Sequence, residues 1–166
     1  MHKANYPQGK WWRNAVLFTI ALLVVAADQL SKLWIRSNLL VGQSLPETGF
    51  FRLTHVHNTG AAFGLFYGQS FPLTVVGLVS VVIILLYALF LHRRFPFLDY
   101  RLTNSALGLV LGGTIGNLID RLRSGYVTDF IDIGIWPTFN IADSAIVVGV
   151  IIFAYSLLPL LRAKKR

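Results

Sequence analysis

Four apolar stretches, each close to the length of a bilayer crossing, constrain this chain more than any other feature. A hydrocarbon core about 30 Å thick takes about 20 helical residues at about 1.5 Å each. Segments 13–35, 71–91, 102–119 and 139–161 come close to that length. The 166 residues are 55% hydrophobic and 13% charged, with a mean hydropathy of +0.62, too apolar for a soluble domain. The expectation is an all-α integral membrane protein: one membrane domain over 1–166, built as a four-helix transmembrane bundle.

The second segment, FPLTVVGLVSVVIILLYALFL, carries no charge and reads as a lipid-facing span. In the third, Gly108, Gly112 and Gly116 recur every fourth residue with Gly113 alongside. Small residues on one stripe let helix backbones approach closely, so this span should be the central one. Ten of the fifteen Lys and Arg lie in the flanks Lys3–Arg13, Arg93–Arg101 and Arg162–Arg166. The positive-inside rule then puts both termini in the cytoplasm and segments 36–70 and 120–138 on the outer side. The basic start followed by Val25-Ala26-Ala27 also fits a secretory leader cut before Asp28. Against that, the helical pattern runs on through Leu30, Leu33 and Ile35, and Asp28 with Lys32 forms an i, i+4 acid–base pair.

Between the first two spans, FRLTHVHN alternates Phe51, Leu53, His55 and His57 with Arg52, Thr54 and Val56 ahead of Asn58-Thr59-Gly60. That pattern predicts a short strand and turn, part of a small β element over about 42–66 on the outer face.

Only seven acidic residues are present, and four of them, Asp28, Asp120, Asp129 and Asp143, fall within or just beyond the spans on the outer side. Asp143 is the single charge between Ile133 and Leu161. A carboxylate at the centre of a spanning helix costs about 2.5–3.5 kcal/mol to insert, so it calls for a function or a partner. Helix capping is one reading, because Asn140-Ile-Ala-Asp143 has the spacing of an N-cap and an acid three residues on. The positive end of the helix dipole also favours Asp143 as an ionised group. Asp120 reads as a packing anchor beside Asn117 and Arg121, Asp28 with Lys32 as a neutralised pair, and Asp129 as a loop residue near Asp143. Two carboxylates about 4 Å apart repel by about 4 kcal/mol at an effective dielectric near 20, roughly three pKa units. Such a pair shares one proton near neutrality and holds a base and an acid together, the logic of aspartic peptidases.

Other chemistry finds little support. Without cysteine there is no thiol catalysis and no disulfide or iron–sulfur framework. HExxH and GxSxG motifs are missing, as is a His/acid cluster at metal-ligand spacing, and adjacent Ser31 and Lys32 point about 100° apart on a helix. The net charge of +8 sits in clusters beside apolar runs rather than on a basic face, which speaks against nucleic acid.

DQLSK (28–32), HNTGAAF (57–63), GGTIGNLIDR (112–121), GYVTDFID (125–132) and FNIADSAI (139–146) follow in order across the four spans. Together they resemble the bacterial lipoprotein signal peptidase family, signal peptidase II, over essentially the whole chain. The resemblance implies an aspartic endopeptidase of the bacterial inner membrane, inhibited by the peptide-like globomycin. It would remove signal peptides from diacylglyceryl-modified prolipoproteins, cutting just before the lipid-bearing cysteine. It implies Asp129 and Asp143 as the catalytic pair, Asn58, Asn117, Arg121 and Asn140 as substrate-binding or supporting residues, and Asp28, Lys32 and Asp120 as structural polar residues. It further implies no cofactor or metal, prolipoprotein and membrane lipid as partners, and a monomer. Two departures are His55 and His57, where more apolar character is expected, and the short link from Asp129 to Asp143. A small transporter using Asp28 and Asp143 as relays, and a non-enzymatic assembly factor, are the competing classes. The four spans show no convincing inverted repeat.

Overall fold

The computed structural model describes residues 10–60, 68–90 and 101–163. Residues 61–66 of the expected β element lie outside these. So do Lys3, Arg93, Arg94, Lys164, Lys165 and Arg166, on which the expected orientation leans. Four helices form: α1 (Lys10–Asn38), α2 (Ser70–Leu89), α3 (Arg101–Ser124) and α4 (Ile141–Ala163). Each contains a stretch long and apolar enough to cross a membrane. The protein is a multi-pass membrane protein with a four-helix bundle and a small sheet.

α3 is the hub, packing against α1, α2 and α4. More than half of its apolar window is buried, 56% against 22% or less for the other three helices. Its glycines explain the closeness: a Cβ on Gly108 would meet the Leu17 carbonyl oxygen at 2.7 Å, and one on Gly112 the Ala21 oxygen at 2.6 Å. On the opposite side Gly113 lies against the Ala142 carbonyl of α4. Without a hydrophobic driving force between helices in lipid, such close backbone contact supplies the packing attraction that holds the bundle. α3 runs five residues past the expected end at Ile119, because the chain turns only at Gly125, whose φ of +79° suits glycine and whose N–H closes on the Arg121 carbonyl at 2.9 Å. Asp120 and Arg121 are therefore helical residues rather than the end of the span.

The sheet lies at one end of the bundle, fed by the α1–α2 and α3–α4 connections. It has three antiparallel strands in the order β1 (Ser44–Leu45), β2 (Arg52–Asn58) and β3 (Val127–Asp132). The pairing of β2 with β3 shifts register between Leu53 and Val56, a bulge that breaks the simple alternation of the sequence. His55 is buried and its Nδ1 donates to the Leu39 carbonyl at 2.9 Å. His57 is exposed and stacks on Tyr126, ring centroids 3.7 Å apart.

β3 corrects the expectation that Asp129 sits in a loop. Val127, Thr128, Asp129 and Phe130 are all buried, because β3 is covered on both faces. Ile35 of α1 and Leu39 just beyond its end pack on Phe130, while Asp129 turns to the opposite side beside Asn140 of the α4 start. A strand buried on both sides loses the alternating pattern by which strands are read, and the polar Thr and Asp within VTDFID hide it further. Phe139 bridges to Ile131, so α4 starts two residues later than expected, at Ile141.

Candidate active site

Asp28, Asp120 and Asp129 are buried and Asp143 is half-buried, and the four fall into two groups with different partners. In the first, Asp28 and Lys32 are one turn apart on α1 and both fully buried, Nζ lying 2.8 Å from Asp28 Oδ2 and 3.1 Å from Asp120 Oδ2. Arg36, one turn further, donates to Asp120 Oδ1 at 2.7 Å and to Thr128 Oγ1 at 2.9 Å. The Thr128 backbone N–H donates to Asp120 Oδ2, which ties β3 to α3. Asp28 Oδ1 accepts the Ala142 backbone N–H at 3.0 Å, so α1 satisfies a free amide in the first turn of α4. Two anions and two cations balance here, as buried ions require.

The second group is Asp129 and Asp143, and its donors are neutral amides. Asn58 and Asn140 donate their Nδ2 groups to the two oxygens of Asp129 at 2.8 and 2.7 Å. Asn117 Nδ2 donates to Asp143 Oδ1 at 2.7 Å. Asp143 and Asn140 exchange backbone-to-side-chain bonds: the Asn140 N–H donates to Asp143 Oδ2 at 3.2 Å, and the Asp143 N–H donates to Asn140 Oδ1 at 2.9 Å. This is a reciprocal capping box at the start of α4. Asn140, wholly buried, also donates to Asn117 Oδ1 at 3.1 Å, so its side chain links Asp129 to the asparagine that holds Asp143. Burial, together with the charge of Asp143, raises the pKa of Asp129 from 3.8 to about 7, against the opposing pull of its two asparagine bonds.

Both carboxylates line a cavity of about 520 Å³ whose walls are mostly apolar, among them Val127, Trp136, Phe139, Ile146 and Val147. A smaller cavity of about 250 Å³ between α2 and α3 also reaches Asp143, Asn117 and Arg121. Arg121 stands at the junction of the two, with its Nε buried and without a hydrogen-bond partner among the described residues. A buried unpartnered guanidinium nitrogen beside a cleft is a donor available to a ligand. Among the described residues no group of three or more His, Asp or Glu converges as a metal site.

A family model described as signal peptidase (SPase) II matches residues 20–159. The chain belongs to the signal peptidase II family. It is an aspartic peptidase. A lipoprotein signal peptidase of Dehalococcoides mccartyi is 52% identical over 139 residues, covering 84% of this chain and 86% of the relative. One of Moorella thermoacetica is 53% identical over 140 residues, covering 84% and 90%. A bacterial membrane enzyme determined by the in meso method at 2.3 Å resolution superposes with a TM-score of 0.74 at 30% identity, over 90% of each chain.

In this signal peptidase II chain, the residues named from sequence converge at one end of the bundle. Asn58 comes from β2, Asp129 from β3, Asn117 and Arg121 from α3, and Asn140 with Asp143 from the start of α4. Asp28, Lys32 and Asp120 lie apart from the cavity lining, behind Asn117. Three residues that sequence reasoning did not single out take part. Arg36 neutralises Asp120, Thr128 anchors it to β3, and Gln29 donates to the Gly116 carbonyl at 3.0 Å and to Asp120 at 3.3 Å. Arg36 had a signal: it continues the i, i+4 stripe of Asp28 and Lys32.

Proposed function

We propose that Asp129 and Asp143 are the catalytic pair with which this signal peptidase removes signal peptides from prolipoproteins, cutting before a lipid-modified cysteine at the outer face of the bacterial inner membrane. The observation that carries the reading is a buried and a half-buried carboxylate, bonded to amides instead of cations, at the wall of an apolar cavity. With its pKa at about 7, Asp129 holds the shared proton near neutrality and Asp143 is the base. Asp143 takes a proton from water, the hydroxyl adds to the scissile carbonyl carbon, and Asp129 passes its proton to the carbonyl oxygen. The proton on Asp143 then moves to the leaving amine as the C–N bond breaks, and Asp129 recovers its proton from the diol.

Arg121, whose Nε has no partner among the described residues, would turn to the reacting carbonyl, where a fixed positive charge stabilises developing negative charge. Asn58, Asn117 and Asn140 hold the carboxylates, and the apolar walls receive the signal helix and the acyl chains from lipid. In this reading one membrane domain spans 1–166, both termini are cytoplasmic, the sheet covers the scissile bond from the periplasmic side, and the chain acts as a monomer.

The test is cleavage of a diacylglyceryl-prolipoprotein by purified Asp129→Asn and Asp143→Asn in detergent. Each change lowers turnover by about 10³-fold or more while the fold is kept, an effect of the size expected for a lost general acid or base. Near-normal turnover by either variant would falsify the pair. Turnover by the unaltered protein falls as pH rises through about 7, where Asp129 loses its proton.

A further inference from the structure

One cation that acts on both members of the proposed catalytic pair lies outside the cavity lining. Lys32 is fully buried, and its ammonium has three hydrogens, each directed to one acceptor: Asp28 Oδ2 at 2.8 Å, Asp120 Oδ2 at 3.1 Å and Asn117 Oδ1 at 3.0 Å. The third contact has a consequence for the site. Asn117 Oδ1 is held by Lys32 on one side and by the Asn140 amide at 3.1 Å on the other, and its Nδ2 is given to Asp143 at 2.7 Å. Turned over, the Asn117 amide would set its NH₂ against an ammonium and another NH₂, and its oxygen against a carboxylate. Three unfavourable polar facings would replace three good bonds.

We propose that Lys32 is a positioning residue for the reaction: its ammonium fixes the Asn117 amide in the one orientation that donates to Asp143 and so holds that carboxylate in place as the base. Asp28 and Asp120 balance the ammonium and keep it from pairing with the reactive carboxylates directly. The charged groups around Lys32 are Asp28 on its own helix, Asp120 on α3, Asp129 on β3 and Asp143 on α4, with Arg36 sharing Asp120.

This inference rests on the assignment of Asp129 and Asp143 as the catalytic pair. Lys32→Met alone leaves Asp28 and Asp120 facing each other without their shared cation and threatens the fold. The combined Asp28→Asn/Lys32→Met variant keeps the net charge and leaves an oxygen to accept the Ala142 N–H, so it is the test. Cleavage of a diacylglyceryl-prolipoprotein in detergent is followed as a function of substrate concentration and pH, with Asp143→Asn measured alongside.

The expected result is a folded double variant whose kcat falls by about 100-fold, the scale of a small misplacement of reacting groups, with KM nearly unchanged. Its alkaline limb moves to higher pH, because the cation that favours ionised Asp129 is gone. Wild-type kcat and pH profile in the double variant would overturn the proposal. Loss of its fold would overturn it too, since Lys32 would then hold the bundle rather than the amide. An active Asp143→Asn protein would instead refute the catalytic pair, so the two failures are distinguishable.

Discussion

Two pairs of aspartates sit at the same end of one small bundle, and their neighbours give them opposite characters. Asp28 and Asp120 meet Lys32 and Arg36, a cluster of two anions and two cations that closes on itself. Asp129 and Asp143 meet Asn58, Asn117 and Asn140, which donate hydrogen bonds and bring no charge. Neutral donors hold a carboxylate in place without forcing it to stay ionised. The difference teaches that the reactivity proposed for Asp129 comes from burial without a bonded cation. A paired acid is an anchor, and an acid left to amides can carry a proton.

The sharpest way to break this contrast is to neutralise one member of each pair. Asp143→Asn should leave folding intact and lower cleavage by about 10³-fold. Asp120→Asn should do the reverse in kind: it strips both cations of a partner and costs about 3–5 kcal/mol of stability, read as a fall in the thermal midpoint in detergent. If Asp120→Asn instead folds like the unaltered protein and Asp143→Asn unfolds it, the roles are exchanged.

A second test uses the proton. Because the folded pKa of Asp129 is raised above the unfolded value, its contribution to stability is fully present below about pH 4 and is lost as pH rises through about 7. Over that window the loss is on the order of 4 kcal/mol at most, shared with Asp143. Asp129→Asn should flatten the pH dependence of the melting temperature and be more stable than the parent at pH 8. An unchanged slope between pH 4 and 8 would count against the shared proton.

Smaller effects sharpen the picture. Asn140→Ala removes a helix cap and the side chain that links Asp129 to Asn117, so about 1–2 kcal/mol of stability should go, with a larger loss of activity. Equal losses in both readouts would reduce Asn140 to a cap. Arg52 and Asp132, 2.6 Å apart on the sheet and away from the cavity lining, form the control. Asp132→Asn should cost about 1 kcal/mol of stability, because Arg52 loses a charged partner while the amide oxygen still accepts the Gly134 N–H, and should leave turnover as it is.

Much of this contrast was legible in the sequence, and its limits have physical causes. The spans follow from length and hydropathy. The centrality of α3 follows from its glycine stripe, which the contacts of Gly108 and Gly112 with α1 bear out. The Asp28–Lys32 pair and the capping geometry of Asn140 and Asp143 are local, fixed by helical spacing, and both form. What spacing cannot carry is a contact between elements. Asp120 meets Arg36 across 84 residues and Asn58 meets Asp129 across 71, and neither distance leaves a periodic trace. β3 was missed because burial on both faces removes its alternation, and the bulge in β2 shifts the faces on which His55 and His57 were expected. Motif resemblance named Asp129 where spacing alone could not.

The most direct test of the central claim, that burial keeps a proton on Asp129 because no cation bonds to it, is an infrared titration of carboxyl groups in detergent, with the difference taken between the parent and Asp129→Asn. The account predicts a protonated-carboxyl C=O band at pH 6 that is lost in Asp129→Asn and titrates in the parent near pH 7. A difference spectrum with no such band at pH 6, and only ionised carboxylate down to pH 4, would contradict it.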